Sequence, residues 1–306
     1  MKYLKPMLAT LADSAFDSDE WTFEIKWDGY RAITYVADGK VEIRSRNNQL
    51  LNQSFPEIEL GLSHVKVDLI IDGEIAVLDQ RGVSQFELIQ NYAKNREGVL
   101  RYFVFDLLSY NSTYLFSVPL TKRTQMLKEI IKESDIIKIS KSFDNYGIKF
   151  FEEIKKLGIE GIVAKKKESK YYPGKRTNEW LKIKSHNAQE FVIGGFTDPG
   201  GSQKYFGALL IGFYEGKDFI YAGKVGSGFD EKTLYNLYLK MKKLETENLL
   251  FKNDLEKTNK KIHAVLPELV CQIKFREWTG KNLLRQPVFV GLRDDINPKE
   301  VKRELT

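Results

Sequence analysis

Apolar and polar residues alternate with a period of two along much of the first two-thirds of the chain, a spacing that predicts β-strands with one buried face. The pattern is clearest at residues 23–27, 30–36 and 41–46, where β-branched and aromatic side chains recur. Asp28-Gly29 and Asp38-Gly39 separate these segments, and both dipeptides are typical of hairpin turns. Further strands are predicted at 67–79, 102–108, 160–166 and 180–184.

Two segments of the same region repeat their apolar residues at helical spacing instead. Residues 120–133 and 148–157 place apolar side chains every three or four positions, so we predict a helix over each. The mixture of strands and helices predicts a first domain of the α+β class.

The texture of the sequence changes after a polar break at residues 185–189. Short strands interleaved with glycines follow, with one amphipathic helix near 230–243. A lysine-rich connection covers roughly 251–262, and strands resume at 269–275. Several short strands with one helix fit a small β-barrel better than a sandwich. We therefore expect two domains, 1–187 and 188–306.

The composition excludes several classes of protein. Of the 306 residues, 42% are hydrophobic, which is enough for a core and too much for a disordered chain. Cys271 is the only cysteine, and the three histidines are far apart, so we expect neither a disulfide framework nor a cysteine or histidine metal site. We find no signal peptide and no bilayer-spanning apolar run, so we expect a cytoplasmic protein.

The positive charge of the chain is concentrated in one segment. The formal net charge is +6, and residues 161–184 alone hold eight basic and two acidic residues. This segment is either a solvated lysine face or a wall that binds phosphates. The basic residues are Lys165, Lys166, Lys167, Lys170, Lys175, Arg176, Lys182 and Lys184.

The segment EIKWDGYR contains a candidate nucleophile. Lys26 ends a predicted strand, with Asp28 two residues later and Arg31 five residues later. A lysine attacks only when its amine is unprotonated, and we expect neighbouring cations and burial to lower its pKa. The competing interpretation is an ordinary hairpin with a surface lysine.

Two carboxylates stand next to predicted strands. Glu74 follows the turn-like pair Asp72-Gly73, and Glu160 opens the strand that leads to Lys165. Magnesium binds oxygen ligands and often uses one or two carboxylates together with substrate phosphates. Glu74 and Glu160 are therefore candidate metal ligands, although either residue alone could simply flank a strand in solvent.

Basic residues near two later strands complete the set. Three cations lie within nine residues, Arg176, Lys182 and Lys184, which is enough positive charge to bind a triphosphate. Because side chains alternate along a strand, Lys182 and Lys184 lie on one face. Arg293 and Asp295 close the last predicted strand. A surface basic strand is the alternative for the first group, and the second pair is uninformative alone.

Lys26-Trp27-Asp28-Gly29-Tyr30-Arg31 resembles the K-x-D-G-x-R signature of covalent nucleotidyltransferases, which include ATP-dependent DNA ligases, RNA ligases and mRNA capping enzymes. The other features follow in that superfamily's order over nearly the whole chain. The part beyond residue 187 is similar to the ligase domain of bacterial end-joining DNA ligases. The resemblance implies an adenylation domain of antiparallel sheets flanked by helices, followed by an OB-fold β-barrel.

The resemblance also implies a role for each matching residue. Lys26 matches the lysine that becomes adenylated, and Asp28 belongs to the same signature. Glu74 and Glu160 match metal-site carboxylates, and Glu74 also serves the ribose. At the base, the resemblance implies that Glu24 and Ile25 lie beside the adenine and that Phe105 stacks on it. It implies that Arg31 contacts the ribose and the nick end, and that Arg46 contacts the nucleotide or the 5′-phosphate. The triphosphate is implied to bind Arg176, Lys182 and Lys184, while Arg293 and Asp295 lie on the mobile barrel.

One position departs from the pattern of the superfamily. Many relatives place a lysine directly after the last aspartate, whereas Ile296 follows Asp295 here. The usual contact with the leaving pyrophosphate is therefore in doubt, and Lys299 is a candidate substitute.

The implied reaction has three steps and uses ATP with a divalent cation, Mg²⁺ or alternatively Mn²⁺. Lys26 takes AMP from ATP, the AMP moves to the 5′-phosphate of a DNA nick, and the 3′-hydroxyl then displaces it. We expect nicked duplex DNA to be held through its phosphates without sequence readout. Candidate cations for this grip are Lys66, Lys94, Arg96, Lys204 and Lys224.

Only 25 residues precede Lys26, so we expect a minimal ligase with weak DNA affinity that acts as a monomer and is helped by an end-binding repair protein. Two other interpretations remain open. One is an RNA ligase or a GTP-using capping enzyme of the same superfamily, and the other is a non-catalytic nucleic-acid-binding protein that uses the barrel.

Overall fold

The computed structural model describes residues 3–201 and 203–304. The chain forms two compact units, and the first ends at Ser185 while the second begins at His186. This division lies two residues before the boundary expected from the sequence.

The first unit contains eleven strands and four helices among its described residues. In chain order they are β1 (Leu8–Leu11), β2 (Ser18–Ile25), β3 (Tyr30–Ala37), β4 (Lys40–Ser45), α1 (Pro56–Leu62), β5 (Leu69–Leu78), α2 (Phe86–Asn95), β6 (Val99–Tyr110), β7 (Thr113–Tyr114), α3 (Leu120–Ile130), β8 (Ile137–Ile139), β9 (Ser142–Asn145), α4 (Gly147–Lys156), β10 (Gly161–Lys166) and β11 (Arg176–Lys184).

These strands form two sheets. The first sheet has the order β1-β11-β10-β2-β9, and the second has the order β4-β3-β5-β6-β7 with β8 paired to β6. All pairings are antiparallel except β1 with β11 and β6 with β8, which are parallel. The expectation of antiparallel sheets therefore holds in the centre of each sheet and fails at these two pairings.

Apolar side chains bind the sheets and helices into one unit. Ile33 and Ile70 of the second sheet pack with Trp180 of the first sheet, which joins the two sheets. Helices α1, α2 and α3 cover the other face of the second sheet. Helix α4 covers the other face of the first sheet, where it packs on Phe23 and Ile162.

The structure corrects two predicted turns. Strand β2 ends at Ile25 and not at residue 27, and β2 and β3 belong to different sheets, so Asp28-Gly29 is a crossing between sheets and not a hairpin. Asp72-Gly73 lies inside β5, beside an irregularity in its pairing with β6. The Asp38-Gly39 hairpin is confirmed, with positive φ angles of 51° and 73°.

The helices α1 and α2 were not predicted, because each is short and flanked by strands whose pattern dominates the surrounding sequence. The predicted helices at 120–133 and 148–157 are confirmed as α3 and α4, with ends that differ by a few residues.

The second unit contains β12 (Ala188–Thr197), β13 (Leu209–Glu215), β14 (Asp218–Val225), α5 (Glu231–Lys242), β15 (Glu245–Thr246), β16 (Ile262–Lys274), β17 (Glu277–Trp278), β18 (Leu284–Arg285), β19 (Val288–Leu292) and a 3₁₀ turn at Pro298–Glu300. The main sheet has the order β14-β13-β12-β16-β15, and β19 also pairs with β16.

The long strand β16 gives the second unit its curled shape. It pairs with β12 along its length, with β15 near its start and with β19 near its end. The inner face packs on α5 through Leu237 and Met241. This is the OB-fold-like half-barrel expected from the sequence. In the described ranges of both units, no helix combines the length and the apolar character needed to cross a bilayer.

Candidate active site

Lys26 lies on the crossing from the first sheet to the second. Its backbone N–H donates to the Gly161 carbonyl at 2.9 Å, which fixes the chain immediately after β2. The Asp28 N–H donates to Ser84 Oγ at 3.0 Å. At Gly29 a Cβ atom would lie 2.0 Å from the Ile75 carbonyl oxygen, so only glycine fits. The Asp28-Gly29 pair of the motif therefore lets the chain pass close to β5, and this path positions the Lys26 side chain.

The register of the first sheet arranges the surrounding side chains in rows. Val163 of β10 pairs with Glu24 on one side and with Lys182 on the other. Gly161 pairs with Lys184, and a Cβ at Gly161 would meet the Ile183 carbonyl oxygen at 2.1 Å. Because side chains alternate across a strand, Glu24, Lys182 and Lys184 share one face, which we call the site face.

The Lys26 amine is paired with Glu160. Its Nζ lies 2.5 Å from Glu160 Oε2, and the Glu160 side chain is only 8% exposed. Burial lowers the pKa of Lys26, but the carboxylates of Glu160, Asp28 and Glu74 outweigh it, so the net pKa is raised. The expectation of a lowered pKa is therefore wrong for the chain alone, because the nearest charges are carboxylates and not cations.

The same carboxylates make a divalent cation chemically suitable here. The carboxylates of Glu160, Asp28 and Glu74 all act on the Lys26 amine. Among the described residues no cluster of three or more histidine, cysteine, aspartate or glutamate side chains forms a complete protein cage for a metal. A magnesium ion that uses one or two carboxylates and completes its shell with phosphates and water fits this donor set.

The second sheet contributes a buried arginine–carboxylate network. Arg31 pairs with Glu74 in the strand register, and its guanidinium binds Asp72 bidentately, at 2.5 and 2.7 Å. The Tyr171 hydroxyl donates to the same Asp72 carboxylate at 2.7 Å and accepts from the Met7 N–H at 2.9 Å. Burial first, then Asp72, raises the pKa of Tyr171, so this hydroxyl stays a donor.

Asp72 and Tyr171 were not among the predicted site residues. The only sequence signal was the aspartate before Gly73, which was interpreted as part of a turn. Their roles depend on contacts between residues 41 and 99 positions apart, which no local pattern reveals.

Phe105 is buried beneath two cations. The Arg31 guanidinium lies 4.6 Å from the centroid of its ring and Lys165 Nζ lies 4.1 Å from it. A second aromatic pair borders Lys26, because the Trp27 and Phe103 rings stack with centroids 3.7 Å apart. Sequence reasoning did not single out Phe103, which pairs with Glu74 across the second sheet.

Lys165 does not belong to a solvated lysine face. Its side chain is 2% exposed and its Nζ lies 2.8 Å from Glu24 Oε1. The basic segment 161–184 is therefore divided among different surroundings. Lys182 and Lys184 lie on the site face, whereas Lys166 is exposed and lies over the Trp21 ring.

Two predicted residues, Ile25 and Arg176, are placed away from the Lys26 amine, whereas Arg46 lies at the end of β4, next to β3. The side chain of Ile25 packs on the opposite face of the first sheet, with the apolar cluster under α4. Arg176 begins β11, at the other end from Lys184, and its guanidinium donates to the Ala9 carbonyl. Arg46 follows β4, and its carbonyl accepts from the Tyr3 hydroxyl.

Arg293 and Asp295 form a bidentate pair just after β19, at 2.8 and 2.7 Å. Arg293 also donates to Gln272 Oε1 at 3.3 Å. Ile296 is 6% exposed in the core of the second unit, which explains why an apolar residue follows Asp295. Lys299 is exposed on the 3₁₀ turn.

Three of the five candidate DNA-binding cations already have partners. Arg96 pairs with Glu57, Lys204 pairs with Glu231, and Lys224 contacts the carbonyls of residues 256 and 257. The remaining two, Lys66 and Lys94, are exposed.

Comparison with known proteins assigns the family. The family model of the ATP dependent DNA ligase domain matches residues 6–184, and that of the ATP dependent DNA ligase C terminal region matches residues 202–296. The chain belongs to the ATP-dependent DNA ligase family. The resemblance drawn from the Lys26–Arg31 motif and the features that follow it is thereby confirmed.

The curated relatives of this ligase chain are larger proteins. It is 35% identical to the multifunctional non-homologous end joining protein LigD of Mycolicibacterium smegmatis, over 97% of the chain and 39% of that protein. It is 32% identical to the LigD of Pseudomonas aeruginosa, over 99% of the chain and 37% of that protein. The chain therefore spans about two-fifths of the length of these relatives.

Solved structures agree in fold. A mycobacterial DNA ligase D complexed with ATP and MES matches with a TM-score of 0.71 and 33% identity, covering 98% of both chains. The ligase domain of LigD from M. tuberculosis matches with a TM-score of 0.55, also at 33% identity and 98% coverage of both chains.

Proposed function

We propose that this protein seals 3′-hydroxyl/5′-phosphate nicks in duplex DNA with ATP, through AMP attached covalently to Lys26. The observation that carries the proposal is the position of the Lys26 amine, held by Glu160 on a crossing between two sheets and next to the row that ends in Lys184. An ordinary hairpin lysine would have neither a buried carboxylate nor a second sheet beside it.

The first step requires the free amine of Lys26. Its nitrogen attacks the α-phosphorus of ATP, the bond to the β-phosphate oxygen breaks, and pyrophosphate leaves. Because carboxylates raise the pKa of Lys26, the amine loses its proton more easily when those carboxylates are neutralised. A divalent cation bound by Glu160 and Glu74 would supply this neutralisation together with charge stabilisation of the phosphates.

Fixed cations on the site face stabilise the charge that develops during transfer. Lys184 pairs with Gly161 and Lys182 pairs with Val163 in the register, so both cations lie along the site face. Electrostatic stabilisation and positioning carry most of the rate in phosphoryl transfer. We assign Arg31, which Asp72 binds bidentately, to the ribose and nick end, and Phe105 and Glu24 to the base.

The remaining two steps transfer and release AMP. The 5′-phosphate oxygen of the nick attacks the phosphorus of the lysyl-AMP and releases the Lys26 amine. The 3′-hydroxyl then attacks the activated 5′-phosphorus, a phosphodiester forms, and AMP leaves. Each step needs different groups near one phosphorus, so we propose that residues 185–189 act as a hinge that brings Arg293 to the nucleotide in the first step. A crosslink between the two units that leaves every step unimpaired would refute this hinge.

The physiological setting is proposed from the relatives. The LigD proteins are named for non-homologous end joining. We propose that this chain acts in end joining or repair in the cytoplasm, as a monomer that cooperates with an end-binding protein. Two other activities, RNA ligation and GTP-dependent capping, use the same lysine chemistry, and a non-catalytic barrel would leave the Lys26 site without a use.

One experiment separates these activities. The protein is incubated with Mg²⁺ and labelled ATP or GTP, and the peptide containing Lys26 is analysed by mass spectrometry for added AMP or GMP. We expect AMP on Lys26 only, followed by sealing of a nicked DNA duplex and not of a nicked RNA. Lys26→Ala should abolish labelling but retain part of the sealing of a pre-adenylated nick. An unmodified Lys26 in folded protein would refute the proposal.

A further inference from the structure

Helix α5 of the second unit has an exposed face that combines aromatic and apolar side chains with lysines. Tyr235 is 46% exposed and Leu239 is 42% exposed, and residues four positions apart are neighbours on a helix surface. The opposite face of α5 carries Leu237 and Met241, which are buried in the core of the unit. The attachment of α5 to the sheet therefore rests on its buried face and leaves the exposed pair available to a ligand.

A tyrosine from the segment between β12 and β13 extends this face. The ring centroid of Tyr205 lies 5.2 Å from that of Tyr235 and 5.8 Å from that of Tyr238. Tyr205 has a φ angle of 69°, in the left-handed region that bulky residues rarely adopt. Such outliers persist where the surrounding structure holds them, and they cluster at sites that bind ligands. We call Tyr205, Tyr235, Tyr238 and Leu239 the α5 platform.

Lysines surround the α5 platform. Residues 231–243 contain one glutamate and four lysines, all four of them exposed: Lys232, Lys240, Lys242 and Lys243. The glutamate, Glu231, is already paired with Lys204 at 2.5 Å. Of the four lysines of α5 and its C-terminal end, Lys242 alone has an ion-pair partner among the described residues, Glu245 at 2.5 Å. Residues 230–245 together with Lys204 hold five lysines and three carboxylates, so positive charge is in excess around the exposed rings.

Unpaired nucleotides fit this combination. Proteins that hold single strands without reading their sequence stack bases on aromatic rings and bind the phosphates with neighbouring cations. The bases of an intact duplex are stacked on one another, so they do not offer a face to such a ring. A second copy of the chain fits poorly, because a two-fold contact would place the lysines of one α5 against those of the other. Because the chain belongs to a DNA ligase family, the strand is taken as DNA.

We propose that the α5 platform is a binding site for unpaired nucleotides of a DNA strand. One base stacks on Tyr235 beside Leu239, and phosphates are bound by Lys232 and Lys243. These two lysines lie about 16 Å apart along the helix axis, with Tyr235 and Leu239 between them. Binding here needs neither ATP nor the Lys26 amine, so the inference goes beyond the proposed function and does not depend on it.

The test measures binding of a labelled single-stranded oligothymidylate to the full chain by fluorescence anisotropy, without ATP. Tyr235→Ala should raise the Kd about tenfold, because the stacking of a base is lost. Tyr235→Trp keeps an aromatic ring and should bind about as tightly as the wild type. Tyr146→Ala is the matched control, because Tyr146 is a tyrosine of the first unit that is 68% exposed, and its Kd should not change.

A second variant tests the phosphate contacts without changing the platform. Lys243→Ala should lower the slope of log Kd against log salt concentration by about 0.7, the value for one phosphate contact with a single strand. A fully paired duplex of the same length should bind to Tyr235→Ala and to the wild type with the same Kd. This comparison separates a site for unpaired bases from a site for duplex DNA.

Three results would overturn the inference. The first is a folded Tyr235→Ala variant with wild-type affinity for the oligothymidylate. The second is an equal loss of affinity for the oligothymidylate and the paired duplex. The third is a wild-type dimer in sedimentation that Tyr235→Ala dissociates, which would assign the platform to a second copy. Failure of the proposed function is a separate result, the absence of AMP on Lys26, and it would leave all these Kd values unchanged.

Discussion

At the scale of single residues, the reactive amine is controlled by carboxylates. Glu160 lies 2.5 Å from Lys26 Nζ, and Asp28 and Glu74 add to its effect, so the pKa of Lys26 is raised. The neutral amine therefore forms only at higher pH than in an ordinary lysine, until the carboxylates are compensated. The same groups thus retain the lysine in its site and disfavour its neutral form.

This balance predicts how Glu160 affects the reactivity of Lys26. In the chain without metal, acylation of Lys26 should rise with pH through its raised pKa. Glu160→Gln removes a carboxylate that raises the pKa of Lys26, so acylation of Lys26 should increase at a lower pH than in the wild type. Mass spectrometry of the Lys26 peptide after pulses of an acylating reagent measures this, with the exposed Glu152→Gln as control. A pH profile of acylation that is unchanged, or that shifts to higher pH, would contradict the assigned effect of Glu160 on the pKa of Lys26.

At the scale of elements, the crossing between β2 and β3 positions Lys26. Lys26 is hydrogen-bonded to Gly161 of the first sheet, while three residues later Gly29 contacts β5 of the second sheet. The backbone therefore spans both sheets within four residues. This close approach explains why a glycine stands in the motif.

A side chain at Gly29 should displace the crossing. In Gly29→Ala the new Cβ would lie 2.0 Å from the Ile75 carbonyl, so we expect loss of self-labelling and a stability cost of about 1–3 kcal/mol or more. Gly39→Ala is the matched control, because its φ of 73° disfavours alanine but its surroundings are open. It should cost about 1–2 kcal/mol and keep labelling. Urea unfolding and labelling of both variants check this prediction, and normal labelling by Gly29→Ala would refute it.

A fully buried ion pair connects α3 to the second sheet. Arg123 binds Asp106 of β6 bidentately, at 2.7 and 2.8 Å, and also donates to the Ser169 carbonyl at 2.9 Å. Both side chains are 0% exposed. Removing one partner leaves the other charge buried without compensation.

The pair should therefore behave non-additively. Arg123→Met or Asp106→Leu alone should cost about 3–5 kcal/mol in the free energy of unfolding, while the double variant should lose much less than the sum. Urea denaturation of the four proteins measures the coupling. Additive losses would show that the two charges do not compensate each other.

At the scale of the whole molecule, the net positive charge is small and is concentrated in residues 161–184. The net charge is +6, yet several surface cations, such as Lys204 and Arg96, are already paired. We expect binding to DNA to rely on contacts between surface cations and phosphates. Such contacts release counterions and weaken as salt rises.

Salt should consequently weaken one activity of the protein, nick sealing, more than another, self-labelling with ATP. Nick sealing at limiting DNA should fall linearly on a log–log plot between about 50 and 200 mM salt, because each phosphate contact adds to the slope. Self-labelling with ATP, which needs no DNA, should change far less over the same range. Parallel titrations of the two reactions give the measurement. Equal salt sensitivity of nick sealing and self-labelling would mean that contacts with DNA phosphates are not the main source of DNA binding.

Local sequence was sufficient for part of the elements and, through the family resemblance, for the chemistry expected of the motif. The period of two marked β3, β5 and β6, helical spacing marked α3, α4 and α5, and Asp38-Gly39 marked the hairpin between β3 and β4. The ordered set beginning at Lys26 indicated the ligase family. These features depend on residues close in sequence, whose side-chain spacing and turn conformations are set by the backbone itself.

The tertiary structure alone decided the environment of each charge. The sequence could not show that β2 and β3 enter different sheets, that Lys165 is buried against Glu24, or that Asp72 and Tyr171 hold Arg31. It also gave the wrong direction for the pKa of Lys26. Each of these depends on pairing between strands distant in the chain, and burial and charge proximity, which set pKa values, exist only once those strands have paired.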